Sequence, residues 1–306
     1  MISNKIKGII YLLITAIIWG GSFISQMFGG IIIGSFAFSG FRGIFGCITI
    51  AIIILYNNVK EHNSFTFFRK DENVIDTILG SCWCGVVLFS ALITQQIGVE
   101  ITDTAKSGLI ASTEVIMVPI LMMIVNKKKI RPITWIFILT AMFGIMMLSI
   151  NSLSGINAGD VWVFASTILY SITILQVPKY ISKIDPLKFS FFRFFVVMVL
   201  GFLLSLVFKE DTFNVIKLKS AVPSILYSGI LASGVAYTLQ VVGQKYCEPI
   251  IATLIMSLEG IFAAIFGWII LEQYLNLVQI IGIIIAFVSI VLVQLTDNNF
   301  VKRDNK

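Results

Sequence analysis

Residues Ile250 to Glu272 read IIATLIMSLEGIFAAIFGWIILE, and the fold follows from this run. As a helix it crosses the ~30 Å hydrocarbon core of a bilayer, which takes ~20 apolar residues. Its one interior charge, Glu259, stands about ten residues from the start, hence ~15 Å deep and near the midplane. A carboxylate there costs on the order of 3 kcal/mol even on a lenient insertion scale, so it needs a partner, a proton or a water-filled cavity. The run Ala105 to Val125 repeats the pattern, with Glu114 again about ten residues in. The two runs also match residue by residue. Gln95, Gly98, Asp103, Leu109, Ile110, Ser112 and Glu114 fall 145 residues before Gln240, Gly243, Glu248, Leu254, Ile255, Ser257 and Glu259. One unit, used twice, buries a carboxylate at mid-membrane each time.

Composition agrees. Of 306 residues 58% are hydrophobic and only 12% charged, too little polar surface for a soluble domain of this size. The net charge of +6 is scattered between apolar runs rather than gathered on one face, which excludes nucleic acid as a partner. Cys47, Cys82, Cys84 and Cys247 lie in or beside apolar segments, without metal or disulfide spacing, and read as small apolar fillers. The run after Lys5 and Lys7 continues to Met27 without a cleavage site, so it is expected to stay as a first helix.

Ten apolar segments are expected to be helices: 7–27, 35–56, 75–97, 104–125, 133–151, 159–178, 187–207, 221–244, 249–271 and 277–295. The gap from Asn57 to Val74, with Phe65, Phe67 and Phe68 among polar residues, suggests a short interfacial helix. Orientation follows from lysine and arginine. With the N-terminus in the cytoplasm, sixteen of the 22 lie in cytoplasmic connections and termini, including Lys127, Lys128, Lys129 and Arg131. Four, Lys106, Lys209, Lys217 and Lys219, lie outside, and Arg42 and Arg193 lie within helices. Both termini are therefore expected in the cytoplasm.

The repeat extends to the first helices of each half. Phe38, Ser39 and Arg42 return as Phe189, Ser190 and Arg193, an offset of 151 that also pairs Gly8 with Gly159, Trp19 with Tyr170 and Ser22 with Thr173. The expected architecture is an all-α integral membrane protein of ten transmembrane helices, as two five-helix repeats, 1–151 and 152–306. Because five is odd, the second repeat enters from the opposite side and is inverted, the arrangement alternating access uses.

Polar stripes at helical spacing mark the faces expected to line a cavity. The first segment carries Thr15, Trp19, Ser22 and Gln26, and the sixth Ser166, Tyr170 and Thr173. The third carries Gln95 and Gln96, and the eighth Ser233, Tyr237, Gln240 and Gln244. Interhelical hydrogen bonds account for Ser and Thr alone, but symmetric stripes with Trp and Tyr favour a shared polar cavity. The binding candidates are Trp19, Gln95, Glu114, Tyr170, Tyr237, Gln240, Gln244 and Glu259. Arg42 and Arg193, about two turns into their helices, are gate or anion-site candidates, with snorkelling or a structural ion pair as the plainer readings. For the glutamates the plainer reading is a structural ion pair, and Glu100, Asp103 and Lys106 read as solvated charge in an outer turn. Gly260, Ala263, Ala264 and Gly267 form a face suited to close packing. The fifth and tenth segments read as lipid-facing scaffold. His62 stands in a loop without metal or nucleophile motif, so no enzyme, metal or cofactor is expected.

The run SLEGIFAAIFGWIILEQYL, preceded by AYTLQVVGQKYCEPIIATLIM, resembles the end of the ten-helix EamA-like transporters of the drug/metabolite transporter superfamily. TQQIGVEITDTAKSGLIASTEVIMVPIL, IIWGGSFI and FSGFRG fit the same pattern in the first half. The resemblance implies a carrier of the bacterial cytoplasmic membrane, commonly an exporter of amino acids or other metabolites. Two departures stand out. Gly260 follows Glu259 where the family often has proline, which predicts a straighter helix, and Leu271 replaces a glycine before Glu272. The expected function is thus a secondary transporter of small amphipathic metabolites, a monomer or homodimer with protons as a candidate coupling ion. A passive channel or facilitator, an intramembrane enzyme and a lipid-handling protein are the alternatives.

Overall fold

A computed structural model of the chain describes residues 4–62, 67–68, 74–102, 104–127, 130–148, 157–271 and 276–301. All ten apolar segments are helical. In chain order they are α1 (Asn4–Ile33), α2 (Ser35–His62), α3 (Val74–Ile101), α4 in two pieces, α4a (Thr104–Ala111) and α4b (Glu114–Asn126), and α5 (Pro132–Leu148). Then come α6 (Ala158–Ile181), α7 (Pro186–Val207), α8 (Val215–Leu226, continued by a π-helical stretch Tyr227–Ala236 and by Tyr237–Gln244), α9a (Pro249–Met256), α9b (Glu259–Leu271) and α10 (Leu277–Val301). Eight of these are long and apolar enough to cross a membrane and α5 and α10 are shorter apolar helices, which makes the chain a ten-helix membrane protein. Residues such as Ile52, Leu79, Leu203, Ile269 and Ile284 stand more than half exposed on its outside, an apolar surface suited to lipid.

Helix ends follow local chemistry. α6 opens on a capping box, Asn157 Oδ1 accepting from Asp160 N and Asp160 Oδ2 from Asn157 N, each at 2.9 Å. Asp185 caps α7 by accepting from Leu187 N and Lys188 N, with Pro186 in the first turn. The corresponding start of α2 has no such residue. Its turn is Gly34 alone, at φ 95, a conformation that favours glycine. Glu210, from the connection after α7, accepts from Phe36 N at 3.2 Å and Ala37 N at 2.6 Å instead.

Glycines set how closely helices approach. Gly98 of α3 packs against Gly159 and Val163 of α6, and Gly8 of α1 packs against Gly243 of α8. Gly40 and Gly43 of α2 receive Phe202 and Met198 of α7. α5 and α10 pack on each other at Gly144 and Gly282, tied by Ser289 Oγ donating to Thr140 Oγ1 at 2.9 Å, and show Phe143, Ile284 and Phe287 outward.

Three expectations change. The polar gap after Asn57 is helical to His62. Phe67 and Phe68 pack on Phe191 and Phe192, and the rest of the suggested interfacial helix lies outside the described residues. The outer turn is not solvated charge. Lys106 is 7% exposed with Nζ 2.6 Å from Asp160 Oδ2, and Glu100 accepts from Ser35 and Gln96; Asp103 lies outside the described residues. The ninth helix is not straight. It breaks at Ser257–Leu258, as the fourth does at Ser112–Thr113, so each second piece begins on its glutamate. Around each break backbone bonds shorten to i→i−3, Thr113 N to Ile110 O and Leu258 N to Ile255 O. The breaks also touch, Ser112 Oγ donating to Gly108 O at 2.8 Å and to Ser257 O at 3.3 Å. A serine bonding back to its own helix bends it, and the shared bond fixes the crossing.

Candidate functional site

The crossing of the broken helices forms part of the wall of a central cavity. α1 supplies Trp19, Ser22, Phe23 and Gln26; α2 Arg42; α3 Gln95; α6 Tyr170 and Ile174; α8 Tyr237 and Gln240. Glu114 and Glu259 come from the first turns of α4b and α9b. A carboxylate at a helix N-terminus faces the positive end of the helix dipole, which stabilises its charge by about 0.3–1 kcal/mol. Glu259 is 8% exposed, and Glu114 lies within electrostatic range of it.

The polar wall is ordered by bonds to neighbouring helices. Tyr170 Oη donates to Gln95 Oε1 at 3.1 Å and lies within hydrogen-bonding reach of Tyr237. The Tyr237 ring packs between Trp19, 4.6 Å away at 55°, and Phe194, 5.2 Å away at 73°. Trp19 Nε1 donates to Ala232 O at 3.3 Å and Thr15 Oγ1 to Ala236 O at 3.0 Å, so the widened π-helical stretch of α8 offers its carbonyls to α1. Arg42 Nε donates to Ser233 Oγ of the same stretch at 3.1 Å, leaving Nη1 without a hydrogen-bond partner in the structure.

The structure brings Trp19, Gln95, Glu114, Tyr170, Tyr237, Gln240, Glu259 and Arg42 to one cavity. Gln244 does not reach it, its Nε2 lying 3.5 Å from Ile174 O. Arg193 is also outside the lining, 1% exposed with its guanidinium 5.1 Å from the centre of the Phe189 ring. Arg42 is 2% exposed, so neither arginine snorkels to a membrane surface. No ion pair to Glu114, Glu259, Arg42 or Arg193 occurs among the described residues, so the structural-pair reading finds no support there. Ser166 and Thr173 take the plain role, bonding back to their own helix at Val163 O and Tyr170 O. Phe23 and Ile174 had no signal in the sequence beyond their places beside Ser22 and Thr173.

Three comparisons bear on this geometry. A crystal structure of a protein superposes with a TM-score of 0.76 over 96% of this chain and 98% of its own, at 12% identity, which shows the fold. An uncharacterized transporter of Archaeoglobus fulgidus is 28% identical over 69% of this chain and 67% of its own length. The uncharacterized transporters YetK and YoaV of Bacillus subtilis are 25% and 18% identical, over 81% and 90% of this chain and 74% and 93% of theirs. These names indicate a transporter rather than an enzyme. The EamA-like transporter family matches residues 6–150 and again 157–295, and with both halves matched the chain belongs to that family of multi-pass membrane transporters.

Proposed function

We propose that the chain is a secondary transporter that exports small amphipathic metabolites by alternating access between two inverted five-helix repeats. The observation that carries this reading is the pair of mid-membrane carboxylates, each at the start of a broken helix, facing one cavity with no ion-pair partner among the described residues. Broken helices meeting near the midplane are how many carriers build their sites. Close carboxylates repel when both are ionised, so such a pair holds a proton or a cationic group between them. Arg42, with an unpartnered Nη1 in the same wall, suits an anionic group, and Trp19, Tyr170 and Tyr237 suit an apolar body. The double family match and the equivalent contacts Gly98–Gly159 and Gly243–Gly8 support the repeat, and the lysine and arginine count supports cytoplasmic termini.

In this reading Glu259 is the ionisable partner of the cycle and Glu114 supports it. Cells with and without the protein are compared metabolite by metabolite, in medium and contents, and the exported compound is then followed in proteoliposomes under an imposed proton gradient. Glu259→Gln is expected to abolish uphill transport while keeping the folded yield, and Glu114→Gln to weaken transport by about tenfold, a change of ~1.4 kcal/mol. A folded Glu259→Gln protein that still transports uphill overturns the assignment. Equilibration without uphill accumulation by the unaltered protein turns the reading to a passive facilitator.

A further inference from the structure

Arg193 is 1% exposed, and neither its Nε nor its Nη2 has a hydrogen-bond partner in the structure. It matches Arg42 at the offset of 151, and its surroundings show why the two differ. Arg42 bonds Ser233 and reaches the cavity. The offset of 145 puts Leu88 where a partner for Arg193 would stand. Arg193 instead lies within electrostatic range of Tyr170 and Tyr237, and of Cys84 and Phe189 in a buried apolar cluster that also holds Val177, Ile181 and Val241. Ser81 Oγ and Ser190 Oγ are buried without partners as well, and Ser190 matches Ser39. A guanidinium held out of water with two nitrogens lacking partners is costly, and such a group is kept where another conformation uses it.

We infer that Arg193 is the anion-binding residue of the opposite conformation: when the apolar cluster parts, its guanidinium takes the anionic group of the cargo that Arg42 takes here. This rests on the alternating-access reading above, in which an inverted repeat exchanges the surroundings of matched residues between states. The cargo accordingly carries a carboxylate or a similarly compact anion, passed from one arginine to the other past the tyrosines.

Cys84 is a native reporter. It is 1% exposed and within electrostatic range of Arg193, and Gly85 packs on the Arg193 backbone. In the full chain with Cys47, Cys82 and Cys247 changed to serine, membrane vesicles of both orientations are treated with an anionic sulfonatoethyl and a cationic trimethylammonium-ethyl methanethiosulfonate. The expected result is modification of Cys84 from the face where α1 starts. The anionic reagent should be favoured at least about tenfold after correction for reactivity with a free thiol. Arg193→Lys should keep this preference and Arg193→Gln lose it; the first arm needs no change at Arg193. A second chain, Trp19→Cys with Cys84 also removed, tests the underlying reading. If that site is modified from both faces while Cys84 stays unmodified or reacts without charge preference, the role of Arg193 is overturned and alternating access stands. If it is modified from one face only, both fall.

Discussion

Where α1 ends, Gly98 packs on Gly159 beside the Lys106–Asp160 pair, with Thr102 donating to Asp160 Oδ1 at 2.7 Å. Where α1 starts, the matched Gly243 packs on Gly8, and the positions matching Thr102, Lys106 and Asp160 are Cys247, Ile251 and Ile9. The inner path divides the same way. Gln26 and Gln96, joined by Gln96 Nε2 donating to Gln26 O at 2.8 Å, match Val177 and Val241 of the apolar cluster. One frame is thus closed by hydrogen bonds and charge at one end and by apolar packing at the other. Water can replace a hydrogen bond at a small net cost of about 1 kcal/mol, whereas parting an apolar cluster exposes surface at about 25 cal/mol per Å². In the alternating-access reading proposed above the polar end is the less costly to open, and the cavity is lined by Gln26 and Arg42 but not Arg193.

The largest effect is expected at the polar corner. Asp160→Asn removes the charge facing buried Lys106 and weakens the cap on α6, and is expected to lower stability by about 2–3 kcal/mol. Ile251→Val at the matching apolar corner should cost about 1 kcal/mol. Thermal unfolding in detergent ranks the two. If Asp160→Asn costs no more than Ile251→Val, the ion pair does not hold that corner. The paired change Lys106→Met with Asp160→Leu should recover most of the loss, because apolar isosteres remove the need for the charges together.

Next comes the closure itself. Val241→Gln places the counterpart of Gln96 in the apolar cluster, where an unpaired amide costs about 1–3 kcal/mol. If the open form hydrates that amide, modification of Cys84 should speed up about tenfold, at 1.4 kcal/mol per decade. Gln96→Val removes the bonds to Gln26 O and Glu100 Oε1 that hold the polar end closed and should likewise speed its opening, read as faster modification of a cysteine at Trp19 from that side. Unchanged rates in both would mean that closure does not depend on these positions.

Much of this was legible in the chain because membranes constrain sequences strongly. Ten apolar runs marked ten helices, and carboxylates in Glu114 and Glu259 had to face a cavity or a partner. The stripes of Trp19, Tyr170, Tyr237 and Gln240 found the wall because burial of large polar side chains needs a reason at helical spacing. The breaks at Ser112–Thr113 and Ser257–Leu258 were not legible, since no proline or glycine stands at them and the bond between Ser112 and Ser257 exists only after folding. The π-helical stretch was hidden for a similar reason. Its small residues, Gly229 against Phe45 and Gly234 against Thr49, allow the close approach of α2 but do not encode an extra residue per turn. Arg42 and Arg193 look alike in sequence, and only the elements around them separate the cavity wall from the apolar cluster.

A last test concerns the glycine contacts that the two ends share. A Cβ on Gly98 would stand 2.6 Å from Val163 Cγ2 and 2.8 Å from both Gly159 O and Val163 N. Two of those atoms are backbone, so relief requires α3 and α6 to separate. At Gly243 the nearest atoms are Leu12 Cγ at 2.9 Å and Cδ2 at 3.1 Å, with Gly8 O at 3.2 Å, and a leucine side chain can turn aside more readily than a helix can shift. Gly98→Ala is therefore expected to cost about 1–3 kcal/mol and Gly243→Ala about 1 kcal/mol or less, offset in part by the better helix propensity of alanine. Thermal unfolding of both in one detergent measures the difference. A larger loss at Gly243 would mean that the apolar corner, and not the polar one, is the tighter of the two.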